Sequence, residues 1–154
     1  MSKIFKLSII IFLINFSFAK SETIKPSINI KPAQVIKIQL QGLMKNDTPY
    51  RDKGIEQTWE FAHPSNKIFT GPIERFKKMI KGDSYKMLID HRDHKIKEVY
   101  SDEKTAIFEV VVMDAEKKYF MFKWQVEKYL DSGPLRDCWL TTMVSAPIAL
   151  GSSI

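Results

Sequence analysis

The apolar residues of this chain change their spacing once, near Gly82, and that change limits the fold more than any motif does. Before Gly82 they recur at three and four positions, and after it at every second position. A period near 3.6 makes a helix with one apolar stripe, whereas a period of two makes a strand with one apolar face. Helices gathered first and strands gathered after them exclude the alternating βαβ order of a parallel sheet. The expected class is α+β, with N-terminal helices packed on a curved antiparallel sheet.

Three helices are expected. The first opens at Pro32, where a missing amide donor costs nothing, and carries Ile36, Leu40, Leu43 and Met44 opposite Lys37, Gln41 and Lys45. It ends at Asn46-Asp47-Thr48-Pro49. The second begins near Asp52 as cap, lines up Ile55, Thr58, Trp59 and Ala62, and stops at His63-Pro64. A short irregular turn leads to Thr70-Gly71-Pro72, the start of the third. There Ile73, Phe76 and Ile80 are the buried stripe, Lys77, Lys78 and Lys81 the wet one, and Gly82 the end.

Strands are expected at Tyr85–His91, Lys95–Tyr100, Thr105–Met113, Lys118–Lys128 and Cys138–Ala146. The two clearest are Ala106, Phe108, Val110 and Val112 on one face, then Phe120, Phe122, Trp124 and Val126. They are joined by Asp114-Ala115-Glu116-Lys117 as a hairpin. In the last strand, Leu140, Thr142 and Val144 are assigned to one side and Trp139, Thr141 and Met143 to the other. Several strands are apolar on both faces, so the sheet either dimerises through its open face or curls around a pocket.

The first nineteen residues read as a secretory signal peptide. Lys3 and Lys6 precede the apolar run Leu7–Ala19, which closes on Ser17-Phe18-Ala19, small residues at both positions a signal peptidase inspects. A bilayer span needs about 20 apolar residues, and Lys20 and Glu22 follow this shorter run directly. The remainder divides into a lead-in over 20–31, one domain over 32–148 and a tail over 149–154. Export is expected, to the periplasm or outside the cell. Removing Lys3 and Lys6 lowers the basic count from 24 to 22 against 18 acids, so the net charge drops from +6 to +4. That mild excess argues against a nucleic-acid partner and for weak attraction to an anionic envelope surface. Cys138 is the only cysteine, so packing rather than disulfides must hold an exported domain of this kind.

Certain stretches resemble a known group. They are Thr58-Trp59-Glu60-Phe61-Ala62, Ser65-Asn66-Lys67, Thr70-Gly71-Pro72, Arg75-Phe76 with Met79, His91-Arg92, Val110-x-Val112-x-Asp114-Ala115, Trp124, and Cys138-Trp139-Leu140-Thr141 with Val144. Together they look like an uncharacterised family of bacterial and plant plastid proteins within the nuclear-transport-factor-2-like, or cystatin-like, superfamily. The resemblance implies a cone with a cavity between helices and sheet, not a reaction. Superfamily relatives include isomerases, dehydratases and cyclases as well as binding and dimerisation modules, so function must be argued from the site.

The densest polar cluster is Asp90-His91-Arg92-Asp93-His94. Placed in a cavity, Asp90 or His91 could serve as acid and base, with Arg75 or Asn66 orienting a substrate. Strand alternation turns Asp90 away from His91, and His91 away from His94, so neither an acid-base pair nor a metal pair is expected there. No metal or cofactor is expected. Cys138 beside Trp139 reads as an inert buried thiol. Thr70-Gly71-Pro72 with Arg75 could hold an anion at a helix start, or simply cap the helix. The expected cavity set is Trp59, Asn66, Arg75, Tyr85, His91, Phe122, Trp124 and Trp139, mostly aromatic. Two readings follow: a binding module for a small apolar or amphipathic ligand or an envelope protein, or an isomerase, dehydratase or cyclase. Homodimerisation through the sheet face is a third.

Overall fold

The computed structural model describes residues 22–152, so the expected signal peptide lies outside the described residues. Four helices come first: α1 Pro32–Met44, α2 Lys53–Glu60, α3 Pro64–Thr70 and α4 Ile73–Ile80. Five strands follow: β1 Asp93–Ser101, β2 Thr105–Met113, β3 Lys118–Lys128, β4 Trp139–Val144 and β5 Ile148–Ser152. The class is α+β, and every strand pairing is antiparallel.

α1 starts where Pro32 predicts. The Lys31 amide donates to Gln34 Oε1 at 2.8 Å, so a residue in the first turn reaches back to satisfy an amide left over at the helix start. α2 departs from expectation. Asp52 does not cap it: its backbone is left-handed (φ 64°) and its side chain makes no cap hydrogen bond. The cap comes from Asn46, only 2 % exposed, whose Oδ1 accepts from the Ile55 amide at 3.1 Å while its carbonyl accepts from Gly54. Asp52 instead meets Lys81, the residue that follows α4, at 2.7 Å. Burial pushes the Asp52 carboxyl up, but hydrogen bonds from Lys81 and Asn46 hold it below its ordinary value.

α1 and α2 cross at two glycines. A Cβ on Gly54 would run into the Gly42 carbonyl and come within 2.9 Å of the Asn46 Cα. Only a residue without a side chain fits that crossing. α2 ends at Glu60, earlier than the proline signal suggests, because Ala62 leaves the helix to bridge Thr141 of β4. The His63 amide donates to the Thr141 carbonyl and the Thr141 amide to Phe61.

The expected irregular turn after Pro64 is a helix, α3, none of whose side chains is buried. With no apolar stripe facing the core it left no periodic signal. The expected strand Tyr85–His91 is also corrected. It holds a single 3₁₀ turn, Lys86–Leu88, and then Asp90 in a left-handed conformation (φ 53°). The Asp90 amide donates to the last turn of α1 at Leu43, so this segment docks on a helix end instead of joining the sheet.

Within the sheet the order is β1-β2-β3-β4, with β5 also on β3. β3 is long enough to serve two partners along one edge. Trp124–Lys128 pairs with β4 and Lys118–Met121 with β5. Between them the Lys123 amide donates to Ser145 Oγ and the Ser145 amide returns to the Lys123 carbonyl, bridging the gap before Pro147. Part of the expected C-terminal tail is therefore a strand. The turns obey local chemistry. Asp114 Oδ1 accepts from the Glu116 and Lys118 amides, and Asp102 Oδ1 from Lys104 and Thr105.

The core lies between helices and sheet. Val35, Ile36, Leu40 and Leu43 of α1 meet Phe108, Val110 and Val112 of β2 and Phe122, Trp124 and Val126 of β3. The expected alternation of β2 and β3 holds, but that of β4 does not. Gln125 pairs with Met143 and Val126 with Thr141, so Thr142 is an extra residue. That bulge brings Thr141 and Val144 to the same, inward face.

Candidate functional site

The core is incompletely filled where α3, α4, the 3₁₀ turn and the inward face of β3–β4 meet. A cavity of about 100 Å³ remains there, walled by Leu43, Ala62, Phe76, Ile80, Leu88 and Trp124. Asn66 and Thr70 of α3, Met79 of α4, Tyr85 and Val144 also line it and are half-buried, so the mouth lies among them. Asn66 and Thr70 are four apart on one helix, which places both on the face toward the mouth.

One side of the wall is polar. Trp124 Nε1 donates to Gln39 Oε1 at 3.2 Å and to Thr141 Oγ1 at 3.3 Å. Thr141 Oγ1 donates to Gln39 Oε1 at 2.7 Å, and Gln39 Nε2 donates to the Thr58 carbonyl at 3.1 Å. Gln39, Trp124 and Thr141 are all buried. Among the described residues no buried side-chain nitrogen or oxygen lacks a partner. The buried dipoles of the cavity wall are thus already satisfied, and none of its lining side chains is an acid, a lysine, an arginine or a histidine. Tyr85 is the one titratable group. Its hydroxyl donates to the Val144 carbonyl at 3.1 Å, and burial pushes its pKa up, so it stays neutral.

Of the expected set, Asn66, Tyr85 and Trp124 do line the cavity. Phe122 is fully buried behind it, with its ring 6.4 Å from that of Tyr85. Trp59 packs on Phe76 at 5.0 Å, with the Lys67 ammonium 5.1 Å from its ring centre, and does not line the cavity. Trp139 is half-buried beneath Lys128 at 5.3 Å. Arg75 is exposed. Two of the amides near it donate within the chain, Gly71 to the Lys67 carbonyl and Arg75 to the Pro72 carbonyl.

Asp90 and His91 are also outside the cavity. Asp90 is exposed, as its left-handed backbone turns it to solvent. His91 is 2 % exposed, with Nδ1 2.7 Å from the Leu88 carbonyl and Nε2 2.8 Å from His94 Nδ1. The two histidines therefore meet, contrary to the strand argument, because His91 precedes β1 and escapes its alternation. A carbonyl only accepts, so His91 carries its proton on Nδ1 and accepts from His94 Nδ1–H. Burial holds both imidazoles below the ordinary histidine value. At His91 the Leu88 bond opposes this, and at His94 the Asp93 carboxylate opposes it. The acid-base set of the enzyme reading is not gathered at the cavity.

Cys138 is buried, and burial, aided by Asp137, pushes its thiol up. It stays protonated and unreactive at neutral pH. The lysine stripe is largely neutralised. Lys77 meets Glu56 and Glu74, Lys81 meets Asp52, and Lys86 meets Asp83.

Sequence reasoning missed Gln39, Thr141 and most of the aliphatic wall. Gln39 had a readable signal: it stands three residues after Ile36 and four before Leu43, a polar residue inside a buried stripe. Thr141 had none, because the bulge that turns it inward leaves no mark in the alternation. The chain matches no family model, no curated protein and no solved structure.

Proposed function

We propose that this chain is an exported, non-catalytic binding module whose cavity receives the apolar end of a small amphipathic ligand. The observation that supports this reading is the chemistry of the wall: mostly aliphatic and aromatic, free of charge, with its buried polar side-chain atoms already hydrogen-bonded within the protein. Such a wall takes a hydrocarbon end and leaves a charged or strongly hydrated head outside. The size sets a limit as well. About 100 Å³ is smaller than the roughly 150 Å³ apolar cavity that accepts benzene and well below the roughly 300 Å³ of a site for a drug-sized molecule. A cone of the nuclear-transport-factor-2-like kind, as the sequence resemblance implies, fits this reading. So does an envelope protein or a second copy of the chain as the partner met at the sheet face.

The test is a titration with 1-hexanol followed at the Trp124 indole N–H and Gln39 amide signals by NMR. A hollow that small takes in about three of the alcohol's carbons, and burying them at about 0.8 kcal/mol each allows a Kd no tighter than about 20 mM. A saturable shift is expected. Val144→Phe, which fills the mouth from a half-buried position, should weaken the binding by about tenfold or more, or about 1.4 kcal/mol. Unchanged signals up to the solubility of the alcohol would refute the proposal.

A further inference from the structure

α3 is the one helix whose presence the core does not explain. None of its side chains is buried. It is held by its ends: His63 Nδ1 accepts from the Ser65 amide, Thr70 Oγ1 donates to the Asn66 carbonyl, and the preceding residues bridge β4. Yet its outward side carries Ile68 and Phe69, 78 % and 73 % exposed, the most exposed large apolar side chains among the described residues. Asn66 and Thr70, on its other side, stand at the cavity mouth. Two adjacent bulky apolar groups held in water beside an apolar cavity call for a partner.

The charges nearby narrow the choice. α4 follows after Gly71-Pro72 and presents Arg75 and Lys78, three apart on one face. Both are exposed, and among the described residues neither has an ion pair. The other charges of this corner are occupied. Lys67 lies over the Trp59 ring, Glu74 and Lys77 are paired, and Lys25 holds Glu60. A tip of two apolar side chains is far smaller than the roughly 800 Å² per partner of a stable protein interface. It suits a bilayer, where a short apolar wedge enters the headgroup boundary and free cations rest on lipid phosphates.

We infer that the α3–α4 corner is a contact for an anionic lipid surface, Ile68 and Phe69 entering the bilayer and Arg75 and Lys78 meeting phosphates. The contact stands by itself. That a lipid chain end is what the cavity takes up rests on the binding reading above.

The full chain with Cys138→Ala carries a spin label at Ile68→Cys or, as control, at Ala115→Cys in the exposed β2–β3 turn. Vesicles of phosphatidylglycerol and phosphatidylethanolamine are added, and the accessibility of each label to oxygen and to a water-soluble nickel chelate is measured. Because each label reports its own site, anchoring by the apolar N-terminal segment does not mimic the result. The label at 68 should become lipid-buried while that at 115 stays aqueous. Arg75→Glu with Lys78→Glu should reduce burial of the label at 68 by about tenfold. Phosphatidylcholine vesicles should give less burial. Equal water access at 68 and 115 on bound vesicles, or burial indifferent to lipid charge and to the two reversals, would overturn the inference. Ile68→Ser with Phe69→Ser in the unlabelled chain is the companion variant. It should lower vesicle binding while leaving the 1-hexanol shift at Trp124 intact. Insertion at 68 without any 1-hexanol shift would keep the lipid contact and remove the cavity reading.

Discussion

Two buried polar clusters share this molecule and differ in how they are assembled. His91 and His94 are neighbours in sequence, bonded to each other and to Leu88, and lie outside the cavity. Gln39, Trp124 and Thr141 come from one helix and two strands, with the Trp124–Gln39 pair 85 positions apart and the Thr141–Gln39 pair 102, and they form the cavity wall. Polar density along the chain therefore pointed to the cluster that ties backbone segments together. The cluster beside the candidate site was invisible as a cluster because its members come from segments far apart along the chain. Their ionisation differs too. One holds two imidazoles that can take a proton, the other no titratable group.

Both clusters lean on α1, Gln39 from its body and the His91 segment through the bond from Asp90 to Leu43, so the largest perturbation should strike both. Gly54→Ala forces α2 off α1 at the Gly42 crossing, where backbone atoms cannot rotate aside. A loss of about 3 kcal/mol or more is expected in denaturant unfolding. A loss under about 1 kcal/mol would mean that the crossing is looser than described.

Gln39→Leu separates the clusters. It removes the acceptor shared by Trp124 and Thr141 and should cost about 1–3 kcal/mol. The His91–His94 pair should be untouched, as shown by unchanged imidazole chemical shifts. Movement of those shifts would show the clusters to be coupled.

The smallest effect is a pH dependence belonging to the histidines alone. Both are held below the ordinary value of 6.5, so below that value the unfolded chain binds more protons than the folded one. Stability should be level above about pH 7.5, decline as pH falls through about 6.5, and flatten once pH passes below the folded values. Thermal unfolding measured from about pH 7.5 to 5.5 should show that slope. His91→Phe with His94→Phe should remove it, and a slope persisting in the double variant would assign it elsewhere.

Much of the fold was legible because it is local. Pro32 and the Ile36-Leu40-Leu43 stripe mark α1, Asp114 marks the hairpin turn, and strict alternation marks β2 and β3. α3 escaped because a helix that buries nothing has no periodic stripe. Tyr85–His91 misled because Tyr85, Met87 and Ile89 stand at every second position, which imitates alternation, although the segment forms a 3₁₀ turn. Trp124 was found as a cavity residue by being a large ring in a strand, and Asn66 and Tyr85 by polar or aromatic character near a break. Arg75 was misplaced because a charge next to a helix start says nothing about which way it faces.

By itself the sequence determined the α+β class, the extents of α1, β2 and β3, and the inward faces of β2 and β3, since each follows from spacing within a dozen residues. The tertiary structure alone decided that Gln39, Trp124 and Thr141 share one network, that Thr142 bulges, that the histidines meet, and that a hollow opens beside α3. Those outcomes depend on how distant segments fit against one another. Packing geometry of that kind is a property of pairs of surfaces, and no single stretch of chain encodes it.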